Sequence, residues 1–264
     1  MNNLDLREYI TSILANGHRI DGRKLEEYRN PIEIKTGISK NAEGSASARI
    51  GETEVIAGIK IGVGTPFADS PDEGVLMVGV ELLPLSSPEF ESGPPGEQAT
   101  ELARVVDRGI RESKMIDMKK LCIRKGELVW MIFLDIYTIN DDGNLIDACA
   151  LAALAALKES VLPVLKDDKV VFGEFTKTKL PLTRIPVTCT LYKIDSYFLV
   201  DPSTKEEKVC DARISICMTE NDNICAVQKG GSKGIKIEEL DKAINIAKEK
   251  TKELRSILNN SSVK

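Results

Sequence analysis

At 264 residues and a net charge of −5, the chain is long enough for two modest domains or one large one, and it has no general attraction for nucleic acid or a membrane surface. Apolar and charged shares of 42% and 29% are ordinary for a soluble globular protein. The longest uninterrupted apolar run, 148–157, is about half of what a membrane-spanning helix needs. Six cysteines without a C-x-x-C pair predict reduced core thiols, and a single histidine, His18, excludes a His–His metal site and argues against a Ser–His–Asp or Cys–His mechanism. The N-terminus has no signal-peptide pattern, so a cytoplasmic protein is expected.

In chain order, Leu6, Ile10, Ile13 and Leu14 form one apolar stripe closed by Gly17, which predicts a short helix with His18 solvated beyond its end. Arg19-Ile20-Asp21-Gly22-Arg23 reads as a charged turn. Alternating stretches between Pro31 and Ile50, broken at Gly37 and Gly44, predict strands, as do 54–63 and 75–83. A proline- and serine-rich loop over 84–96 leads into a helix over 97–114. Leu102, Val105, Val106, Gly109 and Ile110 lie on one side of that helix, and Arg104, Arg108 and Arg111 share the other. By charge pattern the arginines are either a solvated face paired with Glu101, Asp107 and Glu112 or an anion-contacting surface.

The centre of the chain is 128–157. Residues 128–134 are continuously apolar, rich in β-branched and aromatic side chains, and predict a strand buried on both faces. Asn140-Asp141-Asp142-Gly143-Asn144 is turn chemistry. The stretch 146–157 is apolar all round except at Asp147, which predicts a helix in the middle of a core. A strand, a glycine turn and a helix N-terminus form a common anion-binding arrangement. Asn144 and Asp147 instead predict a capping pair, Asn144 accepting from first-turn N–H groups and Asp147 facing the helix dipole.

Residues 158–186 read as a mixed connection and a domain boundary. Strands are predicted over 187–194, 197–200, 209–218 and 224–228, with turns at Asp201-Pro202-Ser203-Thr204 and Glu220-Asn221-Asp222-Asn223. Lys229-Gly230-Gly231-Ser232-Lys233-Gly234 lacks the spacing of a phosphate loop and reads as a flexible link to a last helix over 237–258. The order predicts an α+β protein of layered α/β type, with an N-terminal helix and turn at 1–30 and domains at 31–160 and 161–264.

An ordered set of motifs resembles the RNase PH family. It runs from Arg19-Ile20-Asp21-Gly22-Arg23 through Pro31-Ile32, Gly37 and Gly44-Ser45-Ala46 to the strand, Asp-Gly turn and alanine-rich helix. It continues with Asp201-Pro202-Ser203-Thr204-x-Glu206-Glu207 and Ala226-Val227-Gln228-Lys229-Gly230-Gly231, covering about residues 19–257. The latter half is similar to the non-catalytic RNase PH-like subunit of the archaeal exosome. The resemblance implies two ribosomal-protein-S5-like βα domains. It also implies a hexameric ring, a trimer of heterodimers, alternating with a catalytic RNase PH-like exosome subunit. S1- or KH-domain cap subunits would sit on one face and single-stranded RNA would be degraded from its 3′ end. No membrane, metal or cofactor is implied for this chain.

Phosphorolysis brings inorganic phosphate against a phosphodiester, so a working site needs an anion cradle, arginines and carboxylates. Active family members place Gly-[Ser/Thr]-Arg at the strand-to-helix turn, where this sequence has Gly143-Asn144-Leu145. They place an adjacent arginine pair just before the helix over 97–114, where this sequence has Glu97-Gln98. Of their two aspartates six residues apart, Asp211 matches the second and Lys205 stands at the first. Glu206 and Glu207 read as solvated turn residues. These departures predict a dead site, and the resemblance implies a scaffolding subunit that completes a partner's active site. In the family the helix over 97–114 faces the subunit interface along the RNA path, which implies that Arg104, Arg108 and Arg111 contact RNA. Two alternatives remain: an active phosphate-dependent exoribonuclease using Asp211 with Glu206 or Glu207, and an unrelated α+β protein.

Overall fold

The computed structural model describes residues 3–261. Helix α1 (Asn3–Leu14) buries Ile10 and Leu14 against Ile194, Leu199 and Val209 of the second half, and Gly17 follows at a φ of 77° with His18 exposed. Strands β1 (Ile32–Thr36), β2 (Gly44–Ile50), β3 (Thr53–Gly64), β4 (Val75–Glu81), β5 (Cys122–Arg124) and β6 (Leu128–Asn140) form the first sheet. Its order is β1-β2-β3-β6-β4, with β5 also on β6, and only β4 runs parallel to its neighbour. The sequence pattern is direct here: β3 alternates Val55, Ala57 and Ile59 inward, each fully buried.

Helices α2 (Glu97–Glu112) and α3 (Leu145–Glu159) pack on this sheet. A second antiparallel sheet, order β10-β9-β11-β12, is built from β9 (Val187–Ile194), β10 (Tyr197–Val200), β11 (Ala212–Met218) and β12 (Ile224–Gly230). The last helix, α5 (Ile237–Asn260), packs on β9 and β11. Helix α3 touches β2 and β3 on one side and β9 on the other, which is why every residue from Leu145 to Leu157 is buried. Its alanines keep the approach close, and at Gly44 even a Cβ would collide with Ser160 and the Ala156 carbonyl at the end of α3.

Four expectations need correction. Strand β6 is not buried on both faces: Ile132, Leu134 and Ile136 are fully buried, whereas Met131, Phe133 and Tyr137 are half-buried and Asp135 is exposed. The helices cover only one face of this mixed sheet, so apolar residues on the other face have no layer to meet. The connection after α3 contains a hairpin, β7 (Val161–Lys166) and β8 (Lys169–Lys179). Strand β11 starts at Ala212, because 204–207 form a helical turn, α4, whose N-terminus carries a Ser203–Glu206 capping box. The glycine-rich link is clasped rather than loose: the Lys233 N–H donates to the Asp211 carbonyl and its ammonium sits 2.9 Å from the Asp211 carboxylate. Among the described residues no helix is long and apolar enough to cross a membrane, and all six cysteines are free thiols.

Candidate functional site

The turn between β6 and α3 is held from outside. Arg29 donates to both carboxylate oxygens of Asp201, at 2.9 Å from Nε and 2.8 Å from Nη2, and to the Gly143 carbonyl at 3.0 Å. The same guanidinium reaches the Asp142 carboxylate, and Thr53 Oγ1 donates to the Gly143 carbonyl at 2.7 Å. Gly143 has a φ of 95°, and a Cβ there would run into the backbone of Pro202 and Ser203. The two halves of the chain therefore meet backbone to backbone at this turn, which is why glycine stands there.

Asn144 is not the expected cap. It takes the left-handed conformation (φ 59°, ψ 39°) and makes no side-chain cap hydrogen bond. Its Nδ2 instead donates to Asp201 Oδ1 at 3.0 Å and Asp147 Oδ2 at 3.2 Å, and its backbone N–H donates to Glu207 Oε1 at 2.8 Å. Asn suits this position because it tolerates αL and carries a donor for two buried carboxylates. Asp147, only 1% exposed, also accepts from the Tyr28 hydroxyl and the Thr190 N–H, both at 3.1 Å. Burial pushes its carboxyl up to about 7, against the pull of Thr190 and Asn144.

That shift fixes a sign. The folded chain holds the Asp147 proton up to about pH 7, whereas an unfolded aspartate releases it near 3.9. The stability is fully present below the unfolded value and is lost as pH rises through the folded one. Asp147→Asn retains the acceptor oxygen and removes the titration. Between pH 4 and pH 8 it should therefore lose a few kcal/mol less stability than the wild type. Urea unfolding across that range checks this, and parallel curves for the two proteins would refute it.

Beside the α3 N-terminus lies a cavity of about 420 Å³, whose lining includes Gln98, Leu145, Asp141, Glu207, Tyr192 and Arg213, together with Glu89, Glu101 and Lys208. Its two cations are both occupied: Lys208 pairs with Glu89 at 2.5 Å and Arg213 with Glu101. Asp141 and Glu207 are left as carboxylates, and burial raises the pKa of each. The Asn144 N–H, which opens a helix suited to bind an anion, is given to Glu207. An internal carboxylate thus sits at the turn where a phosphate would be cradled.

Of the six compared positions, Glu97, Gln98, Asn144, Leu145, Lys205 and Asp211, only Gln98 and Leu145 line this cavity. Glu97 faces a neighbouring cavity with Arg104 and Arg108, and Lys205 is exposed on α4. Asp211 accepts from Arg7 Nη2 at 2.8 Å, the Asp195 N–H at 2.9 Å and the Lys233 ammonium. Burial alone would raise its pKa, but these donors hold it well below the usual carboxylate range. Glu206 and Glu207 are not solvated turn residues. Glu206 is 1% exposed and paired with the buried Arg19, while Glu207 is half-buried under Asn144.

Arg104, Arg108 and Arg111 are all exposed on α2, as its pattern predicts. Arg111 pairs with Asp107 at 2.7 Å, Arg108 donates to Gln228 Oε1 at 3.2 Å, and Glu101 is taken by Arg213 instead. Arg104 makes no hydrogen bond or ion pair among the described residues.

Sequence reasoning missed the buried charge seam formed by Arg19, Arg23 and Arg29 with Asp201 and Glu206. The signal was present as two charge-rich motifs about 180 residues apart, of opposite net sign and each read as a turn. Their contacts join the start of the chain to the second sheet.

Comparison with known proteins agrees with this architecture. A curated relative 49% identical, exosome complex component Rrp42 of Thermococcus gammatolerans, aligns over 96% of this chain and 93% of its own length. The protein of the same name from Methanothermobacter thermautotrophicus is 47% identical over 97% of this chain and 94% of its own length. Among solved structures, a chain of the Archaeoglobus fulgidus exosome with RNA bound to the active site superposes with a TM-score of 0.88. It is 41% identical, with 96% of this chain and 98% of that chain covered. Residues 27–163 match domain 1 and residues 184–250 domain 2 of the 3′ exoribonuclease family, and the chain belongs to that family, the RNase PH family.

Proposed function

We propose that this chain is a non-catalytic subunit of an archaeal exosome, a cytoplasmic phosphorolytic ring that degrades RNA from its 3′ end. It alternates with a catalytic RNase PH-like subunit in a trimer of heterodimers, carries S1- or KH-domain caps on one face, and completes the partner's active site while guiding single-stranded RNA. The observation that carries the inactivity is the Glu207 carboxylate on the Asn144 N–H, 2.8 Å away. Phosphate cannot share that donor with a carboxylate without strong like-charge repulsion, and Leu145 supplies no compensating cation.

The alternative of an active site built on Asp211 with Glu206 or Glu207 has little to work with. Asp211 is saturated by Arg7, Asp195 and Lys233, and Glu206 by Arg19 and Ser203. The purified chain should show no phosphate-dependent shortening of RNA and no release of nucleoside diphosphates. Changing Asn144 to Thr and Leu145 to Arg together should not create activity, since Glu207 and Glu97-Gln98 remain. Activity in the partner-free wild-type chain would overturn the reading, and rescue by the double change would show that Glu207 does not block the turn. Co-expression with a catalytic homologue, followed by native mass measurement, tests the ring.

A further inference from the structure

A further cavity, of about 560 Å³, opens between the loop after β3, the C-terminal end of α2 and the segment around Met118. That volume lies within the roughly 300–1,000 Å³ of small-molecule pockets. Val75, Leu76, Ile110 and Ile116, each at most 5% exposed, give it an apolar floor. Phe67 stands on its rim, 55% exposed. Four cations, Arg111, Lys114, Lys119 and Arg184, line it against two carboxylates, Glu73 and Asp117. Asp117 is paired with Lys120, outside the lining, and Lys114, Lys119 and Arg184 make no ion pair among the described residues. In a chain of net charge −5 this is a local cationic surplus, the reverse of the carboxylate-lined cavity at the α3 turn.

We propose that this cavity binds one nucleotide unit, with the base against Phe67 and the aliphatic floor and the phosphate at Lys114, Lys119 and Arg184. Every base has a π-face that stacks on an exposed aromatic ring, and ammonium and guanidinium groups neutralise its phosphate. An acidic peptide would satisfy the cations but leave Phe67 and the floor without a planar partner. The site is separate from Arg104 and Arg108, which line a different cavity, and it does not depend on the exosome reading. The nucleotide can belong to a single-stranded RNA or be free, and the two sources are experimentally distinct.

The test titrates the full-length chain with ADP and with a fluorescent oligoadenylate, comparing wild type, F67A, the double variant K119E/R184E and the charge-matched control K177E/K179E, on β8 outside the cavity. All three altered side chains in the two cavity variants and the control's two lysines are exposed, and thermal melts check folding. F67A should weaken binding about tenfold, equivalent to ~1.4 kcal/mol, and the charge reversal should weaken it at least as much, with the control retaining cavity binding. Binding of oligoadenylate alone identifies an RNA strand as the source, and binding of ADP that competes with it identifies the free nucleotide. The proposal is overturned if neither ligand binds at millimolar concentration or if neither cavity variant changes affinity. It is equally overturned if the variants leave nucleotide binding intact but abolish association with a protein partner.

Discussion

Arg19→Met should destabilise the chain by about 3–5 kcal/mol, the scale for removing one partner of a buried ion pair. The Arg19 side chain is 0% exposed and that of Glu206 1%. Arg19 meets Glu206 through both Nε and Nη2, and it also donates to the carbonyls of Val200 and Asp201 at 2.6 and 2.8 Å. Methionine fills comparable space but leaves the buried Glu206 carboxylate without its cation, with only the Ser203 donors, and takes one donor from each of the two carbonyls. Glu206→Gln should cost less, since it removes the charge while keeping an acceptor for the Ser203 N–H. The double change R19M/E206M should recover part of the loss, because an apolar pair replaces a desolvated ionic one. Urea unfolding of the three variants decides it, and a loss below about 1 kcal/mol for Arg19→Met would mean that the seam is not what joins the N-terminal segment to the second sheet.

This seam also marks where the sequence stopped being legible. Period-two alternation located β3, helical spacing located α2 and α5, and the all-round apolar run located α3, because each is a local pattern imposed by one packed face. The outer face of β6 was misread because a run of apolar residues does not say how many layers cover it. At the site, the turn and its altered chemistry at Asn144-Leu145 were visible, but Glu206 and Glu207 were taken as solvated. A charged residue on a turn is exposed by default, and its burial depends on a partner remote in the chain: Arg19 is 187 residues from Glu206, and Asn144 is 63 from Glu207. The same holds for Asp211, whose match to a family aspartate hides three local and distant donors that tie it into the scaffold. Complementary charge between distant motifs was the available clue, and it requires reading the Arg-rich and Asp/Glu-rich motifs as a pair.

The arginine stripe on α2 is where sequence and structure together sharpen an expectation. Charge pattern offered three equivalent residues; the contacts divide them. Arg111 is engaged by Asp107 at 2.7 Å and reaches the Leu76 carbonyl at 3.3 Å. Arg108 has one neutral partner, Gln228, and Arg104 has no hydrogen bond or ion pair among the described residues. In the proposed ring, phosphate contacts should therefore come chiefly from Arg104 and Arg108. The double change to Ala should leave melting and co-assembly intact, since both side chains are exposed opposite the buried Leu102, Val105, Val106 and Ile110. It should weaken RNA binding by the complex similarly across sequences, because phosphate contacts do not read bases. With a slope of about −0.7 per neutralised phosphate on single strands, two lost contacts flatten the salt dependence by about 1.4. Between 50 and 200 mM salt the wild-type complex should then lose about sevenfold more affinity than the double variant. Adding Arg111→Ala should change the slope little, instead costing ~0–1 kcal/mol of stability through its exposed pair with Asp107. Binding titrations over that salt range test the division directly. A full two-unit flattening that appears only in the triple variant would put Arg111 on the RNA as well, and an unchanged slope in all of them would remove RNA from this face of the chain.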